Sequence, residues 1–266
     1  MSRYFHIFSQ HLQTVMQYRA NMMVTILVEF VIISSTLFLW FSIFQTTKTV
    51  GGMNLSQTVS YYLFIPLIFI LTSSTISDII GDQIKTGDLS NYLMRPVPLW
   101  ILYVTFVLAD KLVYTSLVFP LYFLIVLALL VYGVSISISL VGIVACIGII
   151  VLTIPLAIVL DMSIGWLAFW IDDVWAFTHI KSIVFGLLGG LTFPFEFVPE
   201  KVRIIFEALP FKFFFYTPIH YLFSPSFSWM EYINDIGQLI LWLSFLFIFC
   251  LFLWRKGIQK YGAFGH

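Results

Sequence analysis

The chain has 266 residues, of which 61% are hydrophobic, 19% aromatic and only 10% charged, with a mean hydropathy of +1.01. No soluble core needs that much apolar surface. Formal net charge is zero and no basic cluster interleaves with aromatics, which argues against nucleic acid as a partner.

A hydrocarbon slab of roughly 30 Å asks each spanning helix for about 20 mostly apolar residues. Windows of that kind recur along the chain. The lack of regular ten-residue alternation argues against a barrel, and backbone groups in lipid must be satisfied within their own segment. The expected fold class is therefore an all-α polytopic membrane protein, a single transmembrane domain over residues 1–266 with six transmembrane helices.

Residues 1–20 precede the first span. Arg3 is followed by Gln10, His11, Gln13, Gln17 and Arg19, with no short apolar core and no small-residue cleavage site, so a cleavable signal is not expected here. Tyr4, Phe5, Phe8, Leu12, Val15 and Met16 recur at three- and four-residue steps. That spacing predicts an N-terminal interfacial helix lying along the membrane.

Spans are expected over 21–44, 59–80, 103–132, 137–169, 176–197 and 233–254. An even number puts both termini on one side. If that side is the cytosol, Arg3, Arg19, Lys85, Arg95, Lys111, Lys181, Arg255, Lys256 and Lys260 lie inside. Only Lys48, Lys201, Arg203 and Lys212 remain outside, in keeping with the positive-inside bias.

Between the second and third spans, residues 76–96 form a charged island that this orientation places in the cytosol. Ile76, Ile79, Ile80 and Ile84 share one helical face, with Asp78, Asp82 and Lys85 off it, so the second helix is expected to continue as an amphipathic extension. Gly87 can turn the chain, Thr86 or Asp88 can cap the orphan amides of a new helix, and Leu89, Tyr92 and Leu93 give that helix an apolar face. Arg95 precedes Pro96, where a helix usually ends, and Pro98 keeps the exit extended. This short helix over 86–95 is either a connector resting on lipid headgroups or a docking helix that enters a groove on a soluble partner.

A second segment, 198–226, breaks the last pair of spans. Pro194, Pro199, Pro210, Pro218 and Pro225, out of ten prolines in the chain, fall in or beside it. No single helix can run through them, yet the segment is too apolar and aromatic for a free loop. Val202, Ile205, Phe206 and Leu209 share a face, with Glu200, Lys201 and Arg203 elsewhere. Short helices folded back into the outer leaflet, roofing the spans, account for this pattern; an aromatic interfacial belt is the other reading.

Three intramembrane polar residues stand out: Glu29, about two turns into the first span, Lys111 at the inner end of the third, and Asp161 in the fourth. Lys111 is placed to reach Glu29 or Asp161 and pin the helices, or to snorkel with Asp110 to the headgroups. Cys146 and Cys250 both lie in expected spans, so neither a disulfide framework nor a metal site is expected. Asp172 and Asp173 lack further carboxylates at helical spacing and are better taken as solvated turn acids. His6, His11, His179, His220 and His266 fall at interfaces or termini, with no His-Glu-x-x-His pair, no Gly-x-Ser-x-Gly elbow and no Walker-type loop.

Gly87-Asp88-Leu89 followed by Tyr92-Leu93-Met94-Arg95-Pro96 resembles the G-x-L-x-x-x-L-x-R-P segment of bacterial permease subunits of type-2 ABC exporters. Gly189, Gly190, Pro194 and Pro199, then Leu209-Pro210-Phe211 and Pro218, resemble the G-G-x-x-x-P-x-x-x-x-P … L-P-F … P signature after that family's fifth span, and Trp166, Phe169, Trp170, Asp172 and Asp173 resemble its acidic turn. The resemblance covers essentially the whole chain.

It implies that Thr86, Gly87, Asp88, Leu89, Asn91, Tyr92, Leu93, Arg95 and Pro96 form the coupling helix that contacts the ATPase. It also implies that the segment holding Pro194, Phe197, Pro199, Leu209, Pro210, Phe211 and Pro218 forms an extracytoplasmic gate of re-entrant helices. The expected function is the permease subunit of an ATP-driven exporter in the bacterial plasma membrane, with both termini cytosolic. Its partners would be cytosolic ABC ATPase subunits, a second identical or related permease chain, and membrane lipid. No cofactor is expected in this chain, ATP and Mg belonging to the ATPase, and the cargo would be amphipathic or apolar. Two other readings stay open: an intramembrane enzyme acting on lipid precursors, with Asp161, Asp172, Asp173 and His179 as candidates, and an autonomous secondary transporter.

Overall fold

A computed structural model describes residues 3–17, 19–136, 138–224 and 227–262. Ser137, where the fourth span was expected to begin, Pro225 at the end of the folded-back segment, and His266 lie outside the described residues, as do Met1, Ser2, Tyr18 and Ser226. The side chains of Arg3, Tyr4, Phe5, His6, Val15 and Arg19 lie outside them too.

The described residues are helical, with no strand among them. In chain order the helices are α1 (Arg3–Gln17), α2 (Arg19–Phe44), α3 (Leu55–Thr72), α4 (Ile76–Lys85), α5 (Leu89–Leu93) and α6 (Leu99–Val131). There follow α7 (Leu140–Trp166), α8 (Trp175–Leu188), α9 (Glu200–Ala208), α10 (Tyr216–Phe223) and α11 (Trp229–Lys260). Tight 3-10 turns lie at Leu167–Phe169, Phe195–Phe197 and Pro210–Phe213.

Polar caps set where the long helices begin. Asn54 and Gln57 form a reciprocal capping box at α3, Ser139 caps α7 through the Gly142 N–H, and Ser228 caps α11 through Glu231. Each side-chain oxygen satisfies an amide that an apolar surrounding would leave unpaired.

Five helical stretches are long and apolar enough to cross a membrane: Met23–Phe44, Leu55–Lys85, Leu99–Val131, Leu140–Phe169 and Trp229–Lys260. The window expected to supply another span, 176–197, forms only the 14 residues of α8. At 1.5 Å per residue that is about 21 Å, short of a 30 Å slab. The cause is local. Gly190 adopts φ 89°, the Tyr61 hydroxyl takes its carbonyl at 2.7 Å, and the chain turns away from the helix axis after Leu188.

α7 is the centre of the bundle, and α4, α10 and α11 pack along it. Its Trp166 end lies against Trp254 of α11 and Tyr103 of α6, while at its Leu140 end a side chain on Gly142 would meet the backbone of Tyr221 and Leu222. α2 is the most peripheral span, with Ile33 and Trp40 turned inward and Met23, Leu27 and Phe38 exposed. Trp40 packs beside Tyr62 and Phe197, so the last turn of α2 lies at the Leu140 end. The first residue of α2 and the last of α11 therefore share the Trp166 end.

Helix α1 has a partner within the chain. His11 stacks on Phe106 of α6 at 4.3 Å, and its Nε2 lies 3.1 Å from Asp110 Oδ1. Asp110 thus meets a histidine in place of the headgroups expected for it.

Candidate functional site

The second expected span is interrupted. α3 ends at Thr72, Ser73 is extended (φ −70°, ψ 158°), and α4 starts at Ile76. A break inside an apolar bundle frees carbonyls at the end of one helix and amides at the start of the next, and each must find a partner. Three neighbouring helices supply them. From α6, Lys111 Nζ donates to the carbonyls of Ile70 and Ser73. From α8, Lys181 Nζ donates to the Ser74 carbonyl at 2.9 Å and to Asp161 Oδ1 at 2.6 Å. From α7, Asp161 Oδ2 accepts the Ile76 N–H at 3.1 Å, so a distant carboxylate serves as the cap of α4.

This arrangement differs from both readings open for Lys111, a pair with Glu29 or Asp161 and snorkelling to the headgroups. Lys111 binds neither Glu29 nor Asp161 directly, because the freed carbonyls of α3 take its ammonium, and Asp161 is paired by Lys181. Glu29 and Lys111 still line one small cavity of about 210 Å³ together with Ser73, Ser74 and Asp110. Glu29 Oε2 is buried there without a hydrogen-bond partner.

Beyond the break, α4 buries Ile76, Ile80 and Ile84 and leaves Asp78, Asp82 and Lys85 exposed, as its pattern requires. Gly87 turns the chain with φ 82°, a left-handed conformation that a side chain would strain. The turn is tied down from several sides. Thr86 Oγ1 donates to the Asp82 carbonyl at 2.8 Å, Ser90 Oγ to the Gly87 carbonyl at 2.8 Å, and the Tyr261 hydroxyl to the same Gly87 carbonyl at 2.8 Å. Neither Thr86 nor Asp88 caps α5 with a side-chain bond to its amides; Asp88 instead accepts from Thr86 Oγ1 and Asn91 Nδ2.

The expected contact face divides in two. Leu89 is fully buried among Ile80, Ile84, Tyr103 and Trp166, so it anchors the elbow to the bundle and is not available to a partner. Leu93, Met94, Arg95 and Pro96 are exposed, and Tyr92 is half-buried with Arg95 stacked over its ring at 4.4 Å. The physical reason is α5's length of five residues. So short a helix has no room for one apolar face turned inward and a second turned outward.

The segment from Gly189 to α10 lies at the opposite end and then dips. Phe197 seats on Gly51, where a Cβ would meet its ring at 2.2 Å. The Tyr62 hydroxyl donates to the Thr192 carbonyl at 2.9 Å. Arg203, Glu207, Tyr216 and Glu196 form a chain of hydrogen bonds across α9. Burial, and then the Glu196 carboxylate beside it, push the Tyr216 hydroxyl well above its ordinary value.

Residues 210–215 descend between α3 and α7, and Phe213, Phe214 and Phe215 are wholly buried. Thr72 Oγ1 shares its proton between the Ile68 carbonyl at 2.8 Å and the Phe214 carbonyl at 3.0 Å, and Thr153 Oγ1 between those of Ile149 at 2.8 Å and Phe213 at 3.2 Å. Thr153 lies about 20 Å along α7 from Leu140 at 1.5 Å per residue, so the dip reaches deep into the bundle. Lys212 Nζ pairs with Asp235 Oδ1 at 2.7 Å, and Asp235 Oδ2 accepts from the Tyr221 hydroxyl at 2.8 Å. Among the expected gate residues, Pro194, Pro210 and Pro218 are buried, Phe197, Leu209 and Phe211 half-buried, and Pro199 exposed.

Sequence reasoning missed Lys181, Ser74, Thr72 and Tyr261. A signal was there: Thr72-Ser73-Ser74-Thr75 are four hydroxyl residues in a row within an apolar window. The residues considered for lipid chemistry have separate partners. Asp161 holds Lys181, Asp173 Oδ1 accepts the Trp175 N–H at 2.8 Å, and His179 packs on the Trp175 ring at 4.0 Å.

A family model described as ABC-2 family transporter protein matches residues 30–265. No curated protein and no solved structure matches the chain.

Proposed function

We propose that this chain, which belongs to the ABC-2 transporter family, is the permease subunit of an ATP-driven exporter, coupled to its ATPase through the elbow formed by α4 and α5. The family is one of membrane components of ABC transporters, not themselves enzymes, that associate with an ABC ATPase. ATP and Mg would be bound by that partner. A second permease chain, identical or related, would complete the path, because α2 and α8 leave broad apolar faces exposed.

The observation that carries this reading is the pivot at residues 73–75. Below it, Ile80, Ile84 and Leu89 pack α4 and α5 together and against Tyr103 of α6 and Trp166 of α7. Above it, Thr72 is bonded directly to the Phe214 carbonyl of the dip. Force applied by a closing ATPase dimer to Leu93, Met94 and Arg95 would move the elbow, together with the α6 and α7 residues packed on it, relative to α3 about residues 73–75. The same pivot would then shift the dip that blocks the far end. Coupling of this kind needs an element with two arrangements that both sites bias, and the carbonyls held by Lys111 and Lys181 offer exchangeable partners.

Orientation follows from charge. Lys85, Arg95, Arg255, Lys256 and Lys260 gather at the Trp166 end, with Lys48, Lys201 and Arg203 opposite. The positive-inside bias supports a reading in which the Trp166 end and both termini face the cytosol, in a bacterial plasma membrane as the family resemblance implies. Cargo would enter along the apolar faces of α2, α3 and α8 and leave under the segment 194–223. Such a lining suits an amphipathic or apolar molecule such as a peptide, a drug or a lipid-like compound.

Purification from native membranes tests the reading. Recovery of an ABC ATPase in near-equal amount supports it, and a chain that transports alone contradicts it.

A further inference from the structure

A second feature at the Trp166 end adjoins the elbow's exposed tip, with which it shares Leu93, and lies apart from the cargo path. α6, α7 and α11 part there to leave a slot of about 680 Å³, within the roughly 300–1,000 Å³ range of small-molecule sites. Its walls are almost wholly apolar, with Trp100, Leu108, Ile158, Leu251 and Trp254 among them, and Tyr92 of α5 closes one side. No acidic side chain is among the described residues that line it.

One arginine stands beside it. Arg95 lies over the Tyr92 ring at 4.4 Å and is exposed. On α11, Phe247 and Leu251 line the slot four residues apart. Arg255 is four residues beyond Leu251 and next to the lining residue Trp254, at the edge of that helical face. It too is exposed. Trp100 and Trp254 are in its lining, and tryptophan favours the level where hydrocarbon meets headgroups.

An apolar slot with Arg95 beside it, Arg255 at the edge of its α11 wall and indoles in its lining matches one class of molecule on both counts. We propose that the slot holds an anionic glycerophospholipid of the cytosolic leaflet, an acyl chain lying against Ile158 and Leu251 and the phosphate between Arg95 and Arg255. Basic pockets between helices on the cytosolic side select anionic headgroups in this way. The site would tie the elbow's last turn to α6 and α11 through a lipid. It rests on the orientation assigned above but not on transport.

The test uses the full-length permease without ATPase or cargo, so its failure leaves the transporter reading standing. The chain is reconstituted in vesicles of equimolar phosphatidylglycerol and phosphatidylcholine, and retained lipid is counted by native mass spectrometry. Phosphatidylglycerol should be favoured about tenfold, a preference two nearby cations can supply. Arg95→Gln with Arg255→Gln should bring the ratio close to one while total retention persists. Leu108→Trp, which fills the slot from a partly exposed position, should lower retention of both lipids. Equal retention by the wild type, a preference unchanged in the double arginine variant, or retention unaffected by Leu108→Trp would each overturn the proposal. Folding of each variant is checked by gel filtration and circular dichroism, and the wild-type ratio decides the headgroup question even where a variant fails to fold.

Discussion

Lys181 Nζ lies 2.6 Å from Asp161 Oδ1, and the pair is seated on the gap between α3 and α4. Both side chains are largely removed from solvent, and each also serves the broken backbone, Lys181 at the Ser74 carbonyl and Asp161 at the Ile76 amide. The ion pair is therefore part of the helix ends it stands between.

Removal of one partner should leave an uncompensated charge. Asp161→Asn or Lys181→Met is expected to cost about 3 kcal/mol, and the two together less than the sum of the singles, because a buried pair removed whole carries a smaller penalty than one broken. Thermal unfolding of the purified chain measures this. Additive losses would show that the two residues do not act as a pair.

Leu89 and Met94 should part company. Leu89→Asp places a charge in the cluster of Ile80, Tyr103 and Trp166 and should destabilise the chain by more than 2 kcal/mol, of the order of a large core deletion. Met94→Asp, at an exposed position, should leave the melting temperature within about 2 °C and weaken ATPase association. A pull-down of the ATPase beside a melting curve separates the two effects.

At Thr72, substitution by Val keeps the shape and deletes the donor that the Ile68 and Phe214 carbonyls share. An unsatisfied buried carbonyl costs about 1–3 kcal/mol. Thr72→Val should therefore lower stability, whereas Thr72→Ser should keep most of it. Release of a fluorescent dye from vesicles should also show Thr72→Val to leak, since that bond holds the dip against α3.

Tyr261→Phe removes the bond from α11 to the Gly87 carbonyl and leaves the ring contact with Phe169. The expected loss is about 1 kcal/mol, with faster amide exchange confined to residues 86–93. Exchange unchanged in that segment would remove Tyr261 from the account.

The long apolar spans were legible because hydropathy over twenty residues needs no tertiary information, and 21–44, 103–132 and 233–254 fall within a few residues of α2, α6 and α11. The interruption at 73–75 was not foreseen, because partners for the freed carbonyls come from Lys111 and Lys181, far away in sequence. The window 176–197 reads as a span by composition, yet the Tyr61 hydroxyl and the Gly189-Gly190 turn stop it at Leu188. Leu89 was assigned outward because a periodic pattern identifies an apolar face without saying whether the bundle or a partner covers it.

The most direct test of the account is site-specific crosslinking from the elbow. In a background with Cys146 and Cys250 replaced by Ala, Met94→Cys and, at the opposite end of the bundle, Leu140→Cys are treated in native membranes with a short bifunctional reagent. The account predicts an ATP-binding subunit joined at position 94 and none at 140, with the yield at 94 altered by a non-hydrolysable ATP analogue. Absence of any ATPase adduct at 94, or equal adducts at both positions, would contradict it.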